Sequence, residues 1–148
     1  MRFLRLYPIM AAAAVLASCT STPKAPDPAA LEAGAYARIQ AIPAADSKKY
    51  GEVENYKTWQ NPYLIIRKDG VGLLDVANHE ERWIKLEELP AALADLPAAA
   101  WPYGRVVAVT ENGIRTSGDN VLIRKNRGIV LGTLESMHIL VSIGPPSG

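Results

Sequence analysis

Two histidines are the side chains of this sequence best suited to acid–base or metal chemistry. His79 lies beside Glu80 and Glu81, but the metalloprotease pattern needs a second histidine four residues later, and that position holds Trp83. His138 opens an apolar run, where a half-buried histidine with a hydrogen-bond partner is expected. The sequence therefore predicts a solvated loop around His79, and it predicts no catalytic residues, no metal site and no cofactor.

The single cysteine, Cys19, ends a short pattern at the amino terminus, Leu16-Ala17-Ser18-Cys19. Arg2 and Arg5 come first, followed by an apolar stretch over 6–16 that is shorter than the about 20 residues needed to cross a bilayer core. This arrangement resembles the lipobox signal peptide of bacterial lipoproteins. The alternative is a plain secretory signal with an incidental cysteine at its cleavage site.

The lipoprotein resemblance implies an address in the bacterial cell envelope. Residues 1–18 would be a signal peptide that is cleaved, and Cys19 would carry acyl chains (palmitate and related lipids) that attach the protein to a membrane. Two or more chains on one residue anchor stably, whereas one holds only marginally. Residue 20 is Thr20 rather than the aspartate that usually marks inner-membrane lipoproteins. The resemblance thus implies the outer membrane, facing the periplasm.

Length and charge limit the rest of the protein. A chain of 148 residues fits one domain, and its formal net charge of +1 falls to −1 when the two arginines of 1–18 are removed. No basic stretch alternates with aromatic residues, so no nucleic-acid partner is expected. One cysteine cannot form an internal disulfide.

The order of predicted elements indicates a small α/β (α+β) domain. Residues 19–28 form a proline-rich tether, 29–60 hold an amphipathic helix and a connection, and 61–144 form the α/β domain. Within 61–144 the pattern predicts β-β-α-β-α-β, a mixed sheet with helices on one face. Asp69-Gly70 predicts a type I′ hairpin turn, 78–82 a polar loop, and 138–143 a buried strand.

Four segments of this domain resemble the periplasmic domain of ExbD/TolR-type biopolymer-transport proteins over residues 62–143. They are LIIRKDGVGLL (64–74), KLEELPAALADL (85–96), RVVAVT (105–110) and IVLGTLESMHILVSI (129–143). The resemblance implies a periplasmic docking module. Family members also carry a transmembrane helix with a functional aspartate, which has no counterpart here, so a motor function is not implied.

Two aromatic groups stand just before predicted strands and form the candidate interaction rim. The rim residues are Trp59, Asn61, Tyr63, Trp101, Tyr103 and Arg105. On one interpretation they line one end of the sheet and bind a peptide, a glycan or a partner loop. On the other they close the hydrophobic core beneath two loops.

These observations predict a lipid-anchored envelope protein with a non-catalytic binding or docking module. Its partners would be the membrane, through Cys19, and an unidentified envelope protein or cell-wall component, in or beside a transport or cell-wall complex. The alternative is a lipid-anchored periplasmic enzyme, or an enzyme inhibitor, whose site has no recognised motif.

Overall fold

The computed structural model describes residues 28–53, 58–76, 80–112 and 116–143. The predicted signal peptide, Cys19, the tether up to residue 27, and His79 lie outside the described residues. Within these residues four α-helices and five strands follow one another, and 3₁₀ turns lie at Leu86–Glu88 and Ala98–Ala100. The elements are α1 Pro28–Gln40, α2 Ser47–Tyr50, β1 Tyr63–Arg67, β2 Gly70–Asp75, β3 Glu80–Ile84, α3 Leu89–Ala94, β4 Val106–Glu111, α4 Ser117–Ser136 and β5 Leu140–Ile143.

The five strands form one mixed sheet in the order β3-β2-β1-β4-β5. β1, β2 and β3 pair antiparallel, whereas β4 pairs parallel with β1 on one side and with β5 on the other. The α4 helix makes the connection between the parallel strands β4 and β5. This mixed sheet with an N-terminal helix confirms the predicted α+β fold class.

The three longer helices α1, α3 and α4 cover one face of the sheet and share one core with it. Strand alternation aims every second residue of a strand at the helices. On α4 the buried apolar residues recur at helical spacing. Because α1 contributes to the same cluster, it is part of the folded unit. The fully buried members include Ile39, Leu64, Ile66, Val71, Leu89, Leu93, Val107, Val130, Leu134 and Met137.

The opposite face of the sheet carries a smaller apolar cluster beneath the segment that contains α2. Trp59 and Tyr103 pack there against Val106 and Ala108 of β4. Tyr50, the last residue of α2, packs against the same cluster. The connection between α1 and β1 therefore covers part of the second face.

Strand β3 replaces the polar loop predicted over 78–82, so that prediction is wrong for residues 80–82. The polar sequence predicted a loop because β3 is an edge strand in which only Ile84 is buried. The side chains of Trp83 and Glu81 lie over the neighbouring strand β2, where Gly70 and Gly72 have no side chains to occupy that space. A Cβ on Gly70 would lie 2.7 Å from the Trp83 ring, and one on Gly72 would collide with the Glu81 carboxylate.

Two further predictions on strands need correction. The turn between β1 and β2 consists of Lys68 and Asp69, neither of which has the positive φ of a type I′ turn, and Gly70 is already paired with Arg67. The last strand is not buried, because β5 forms an edge of the sheet and both of its end residues are exposed. Val141 between them still packs against the main core.

Candidate functional site

Two aromatic residues of the predicted interaction rim are core residues. Trp59 is 2% exposed and Tyr103 is 8% exposed. Their ring centroids lie 5.2 Å apart in an edge-to-face arrangement, and the Tyr50 ring lies 5.8 Å from that of Trp59. Such arrangements of aromatic rings stabilise packing beyond the area they bury. Trp59 and Tyr103 therefore stabilise the second face of the sheet.

Trp101 lies on the other side of the sheet, in the cluster beneath the helices, and is 4% exposed. Because Trp59 and Trp101 belong to different faces, the six predicted residues do not form one exposed rim. The rings of Trp59, Trp101 and Tyr103 therefore pack inside the domain, on two faces of the sheet. The order of the residues in the sequence gave no information on which face each loop covers.

Asn61 links the two loops that carry these aromatic residues. It is fully buried, its Nδ2 donates to the carbonyls of Gly104 and Val106 at 2.7 Å each, and its Oδ1 accepts from the Tyr103 amide at 2.9 Å. The next residue, Pro62, has no N–H to continue the ladder with β4. The Asn61 side chain supplies the missing donor, so its role is structural.

The remaining two rim residues are half-buried. Tyr63 packs against the aromatic cluster of the second face. Arg105 donates from its guanidinium to the Gln40 side chain, which in turn donates to the Met137 carbonyl at 2.9 Å. These contacts place the Arg105 charge near the carboxyl ends of α1 and α4, where helix dipoles favour a cation. Arg105 therefore stabilises the junction of the two helices.

His138 is exposed rather than half-buried, which corrects the expectation drawn from its apolar neighbours. Its φ is +54°, in the left-handed region. The His138 amide donates to the carbonyl of Glu135 and the Ile139 amide to that of Leu134, each at 2.9 Å. These two bonds form the Schellman ending of α4, a position that glycine usually occupies. His138 thus terminates a helix.

The helical face carries a solvent-open groove of about 750 Å³. One side comes from the first half of α1, another from the 3₁₀ turn and start of α3, and the third from the second half of α4. The lining residues are Leu31, Glu32, Ala35, Tyr36, Leu86, Glu87, Glu88, Pro90, Ala91, Ile129, Thr133 and Ser136. We call this set the helix groove.

The helix groove presents large apolar side chains to solvent between carboxylates. Leu31 is 56% exposed and Ile129 is 42% exposed, although both belong to otherwise packed helices. Three glutamates line the groove, and its lining contains no lysine or arginine. Tyr36 donates to the Ser136 hydroxyl at 2.5 Å and so joins α1 to α4 at the groove. The groove is thus an apolar surface with a net negative lining.

A second concave site lies at the carboxyl ends of the parallel strands β1 and β4. This crevice, of about 420 Å³, is polar and charged. Two ion pairs lie in it, since Arg67 contacts Glu81 at 2.8 Å and Lys68 contacts Asp119 at 3.3 Å. The lining residues are Arg67, Lys68, Asp69, Glu81, Trp83, Asn112, Asp119 and Ile123.

Asp119 belongs to the capping box that starts α4. The Thr116 amide donates to its carboxylate at 3.0 Å, and the Asp119 amide donates to the Thr116 hydroxyl at 3.4 Å. Hydrogen bonding of the carboxylate by the Thr116 amide first and by the Thr116 hydroxyl second, with a smaller contribution from Lys68, holds the pKa of Asp119 below its ordinary value. The carboxylate is therefore ionised at neutral pH and occupies the amino end of the helix itself.

Neither a metal-binding cluster nor a membrane-spanning helix is found among the described residues. Among them, no group of three or more histidine, cysteine, aspartate or glutamate side chains could hold a metal ion. No helix in this part of the chain combines the length and the apolar character needed to cross a membrane.

Comparison of the chain with models of protein families, with curated proteins and with solved structures finds no match. Sequence reasoning missed the helix groove, although Leu31 and Ala35 on α1 and Ile129 and Thr133 on α4 show the i, i+4 spacing of a shared helical face. What it could not supply was the gap between the helices.

Proposed function

We propose that the chain is a lipid-anchored protein of the bacterial cell envelope whose α+β domain binds a segment of another envelope protein in the helix groove. The observation that carries the docking role is the exposure of Leu31 and Ile129 on opposite sides of a concave surface. Large apolar side chains that converge on an open groove are typical of interaction sites. The Leu16-Ala17-Ser18-Cys19 pattern supports the anchor.

The length of the proposed tether limits the distance between the helix groove and the membrane. Residues 19–27 separate the proposed lipid anchor from α1, and an extended chain of this length spans at most about 30 Å. Leu31 follows in the first turn of α1, so the groove would stay close to the membrane surface. Thr20 favours the outer membrane, with the domain in the periplasm, as the site of attachment.

The anchor is tested with Cys19→Ser in the native cell. The wild-type protein should incorporate labelled palmitate and fractionate with membranes, whereas Cys19→Ser should remain unprocessed and unlabelled. If the variant is cleaved and fractionates as the wild type does, the protein is not a lipoprotein.

Docking is tested with a photocrosslinking amino acid placed at position 31 of the full-length protein in its own membrane. A matched probe at Val121, which is 69% exposed on α4 but does not line the groove, serves as the control. We expect a discrete adduct from position 31 only, lost when Ala91→Trp fills the groove and retained with the exposed control Ala98→Trp. Equal adducts from both positions, or an adduct that survives Ala91→Trp, would contradict the proposal.

The crevice at the ends of β1 and β4 favours the alternative, a periplasmic enzyme or inhibitor. Ligands of open α/β sheets bind outside the carboxyl ends of neighbouring parallel strands, and this crevice has that position. Amide NMR spectra of the protein, titrated with small molecules of the envelope, would test this function. Ligand-dependent shifts at Lys68 and Asn112 that Lys68→Met abolishes would favour it over docking.

A further inference from the structure

We propose that the segment bound in the helix groove is a basic amphipathic helix of another envelope protein. This inference rests on the proposed docking function and names the chemistry of the partner. Three properties of the groove lead to it: the secondary structure of its sides, the charge of its lining and the position of its exposed apolar side chains.

The sides of the groove favour a helix over an extended peptide. An extended peptide gains affinity by pairing its backbone with the edge of a sheet. The helix groove offers no such edge, because α1, α3 and α4 use their backbone groups within the helices. The backbone N–H and C=O groups of a bound strand would lose their hydrogen bonds to water and find no partners in the groove. A helix satisfies its own backbone and contacts the groove with side chains alone.

The charge of the lining selects a basic partner. Glu32 on α1 and Glu87 before α3 are exposed, and neither carboxylate makes a hydrogen bond or ion pair with the described residues. Glu88 also lines the groove and accepts from the Lys85 amide at 3.2 Å. Since no cation of the lining balances these three carboxylates, lysines or arginines beside the apolar face of the partner would meet opposite charges. An acidic helix would meet like charges.

The apolar side chains define how the partner would lie. Leu31 and Ile129 stand on α1 and α4, while Pro90 and Ala91 of α3 are compact and leave space between them. Apolar residues of a helix at i, i+3 or i+4, and i+7 lie on one face and could enter this space. The partner therefore combines such a stripe with basic residues on its flanks, the pattern of an amphipathic helix in a groove.

Binding is tested on the full-length lipidated protein in phosphatidylcholine nanodiscs, with empty nanodiscs as the baseline. The probes are three synthetic 18-residue peptides: a leucine/lysine amphipathic helix, a leucine/glutamate helix with the same pattern, and a leucine/lysine peptide of scrambled order. We expect the first to bind more tightly than either of the others by about tenfold or more. Equal binding of the scrambled or the acidic peptide overturns the inference.

A charge-reversed variant assigns the effect to the groove. Glu32→Lys with Glu87→Lys should weaken binding of the leucine/lysine helix by about tenfold, because two attractive contacts become repulsive. Glu80→Lys with Glu135→Lys makes the same change of net charge at exposed positions outside the groove and should leave binding within about twofold. Equal loss in both double variants would mean that net charge alone attracts the peptide, and would overturn the inference.

The outcomes for the groove and for its partner remain distinct. If the crosslink from position 31 is formed and blocked by Ala91→Trp, but the leucine/lysine helix does not bind, the groove is a docking site for a partner of different chemistry. If that crosslink is absent, the proposed docking function itself is wrong. A rise from 50 to 300 mM salt should weaken binding to the wild type more than to the Glu32/Glu87 variant.

Discussion

Asn61→Ala should strongly destabilise the protein, although Asn61 lies in a loop and outside the helix groove. The side chain is fully buried and makes three hydrogen bonds to the backbone of the loop that leads into β4. Alanine would leave the Tyr103 N–H without its acceptor. It would also leave the Val106 carbonyl without a donor, because the Asn61 side chain takes the place of the N–H that Pro62 lacks. The carbonyl of Gly104 is less affected, because it also accepts from the Val106 amide at 2.8 Å.

The size of the effect follows from these contacts. Three buried hydrogen bonds at about 1 kcal/mol each set a lower value of about 3 kcal/mol. Leaving a buried donor and a buried acceptor unpaired raises the loss, so we expect a decrease of about 3–5 kcal/mol in the free energy of unfolding. A domain of this size has about 5–15 kcal/mol in total. At a urea m-value of about 2 kcal/mol/M, the midpoint would fall by about 2 M.

Urea unfolding followed by tryptophan fluorescence measures this loss, with Trp59 and Trp101 as buried reporters. The neighbouring exposed residue supplies the control, since Gln60→Ala should stay within about 0.5 kcal/mol of the wild type. An Asn61→Ala protein of wild-type stability would refute the assignment of Asn61 as the link between the loops. It would also return Asn61 to the set of residues available for a ligand.

Three other substitutions have expected outcomes by the same measurement. His138→Gly should raise the free energy of unfolding by about 1 kcal/mol, since glycine adopts the left-handed φ of the helix ending without strain, and a loss would contradict that geometry. Gly104→Ala should cost more than about 2 kcal/mol, because φ is +78° and a Cβ there would collide with the Ala44 carbonyl; a neutral effect would refute the close approach. The lowered pKa of Asp119 contributes stability above the pKa of the unfolded state, about 3.9, and that contribution is lost as pH falls through the folded pKa. Asp119→Asn should therefore be less stable than the wild type at pH 7 and approach it near pH 2, and a pH-independent difference would contradict this assignment.

Much of the fold could be predicted because prolines and apolar spacing in the sequence indicate where several helices and strands begin and end. The Asp27-Pro28 start and the apolar spacing that follows it predict a helix over 28–40, and α1 has those bounds in the structure. The leucine spacing over 86–96 predicts a helix that begins near Glu87 or Glu88 and stops before Pro97. The structure has a 3₁₀ turn followed by α3 there, with Pro90 in the first turn of α3, where a missing N–H costs little. The continuous apolar run at 105–110 predicts a strand that is covered on both faces. The structure has β4 there, and it is buried along most of its length.

The parts that could not be predicted depend on contacts between segments distant in sequence. Strand β3 pairs with β2, and Gly70 and Gly72 of β2 leave space for the side chains of Trp83 and Glu81. No local pattern within NHEER indicates that space. The faces covered by Trp59 and Trp101 depend on how each loop turns, which proline and aromatic content does not determine. The helix groove likewise depends on the separation of three helices.

The two halves of α1 have different roles in this arrangement. The second half is held by the buried Ile39, by the contact of Arg38 with Asp95 at 3.1 Å and by the Gln40 hydrogen bond to Met137. The first half exposes Leu31 and Glu32, and these residues lie nearest in sequence to the proposed tether. A partner in the groove would thus bury the part of α1 that the domain itself leaves uncovered. If the proposed lipid anchor is present, membrane attachment and docking would act on the same helix, since the first turn of α1 would follow the tether and forms one side of the groove.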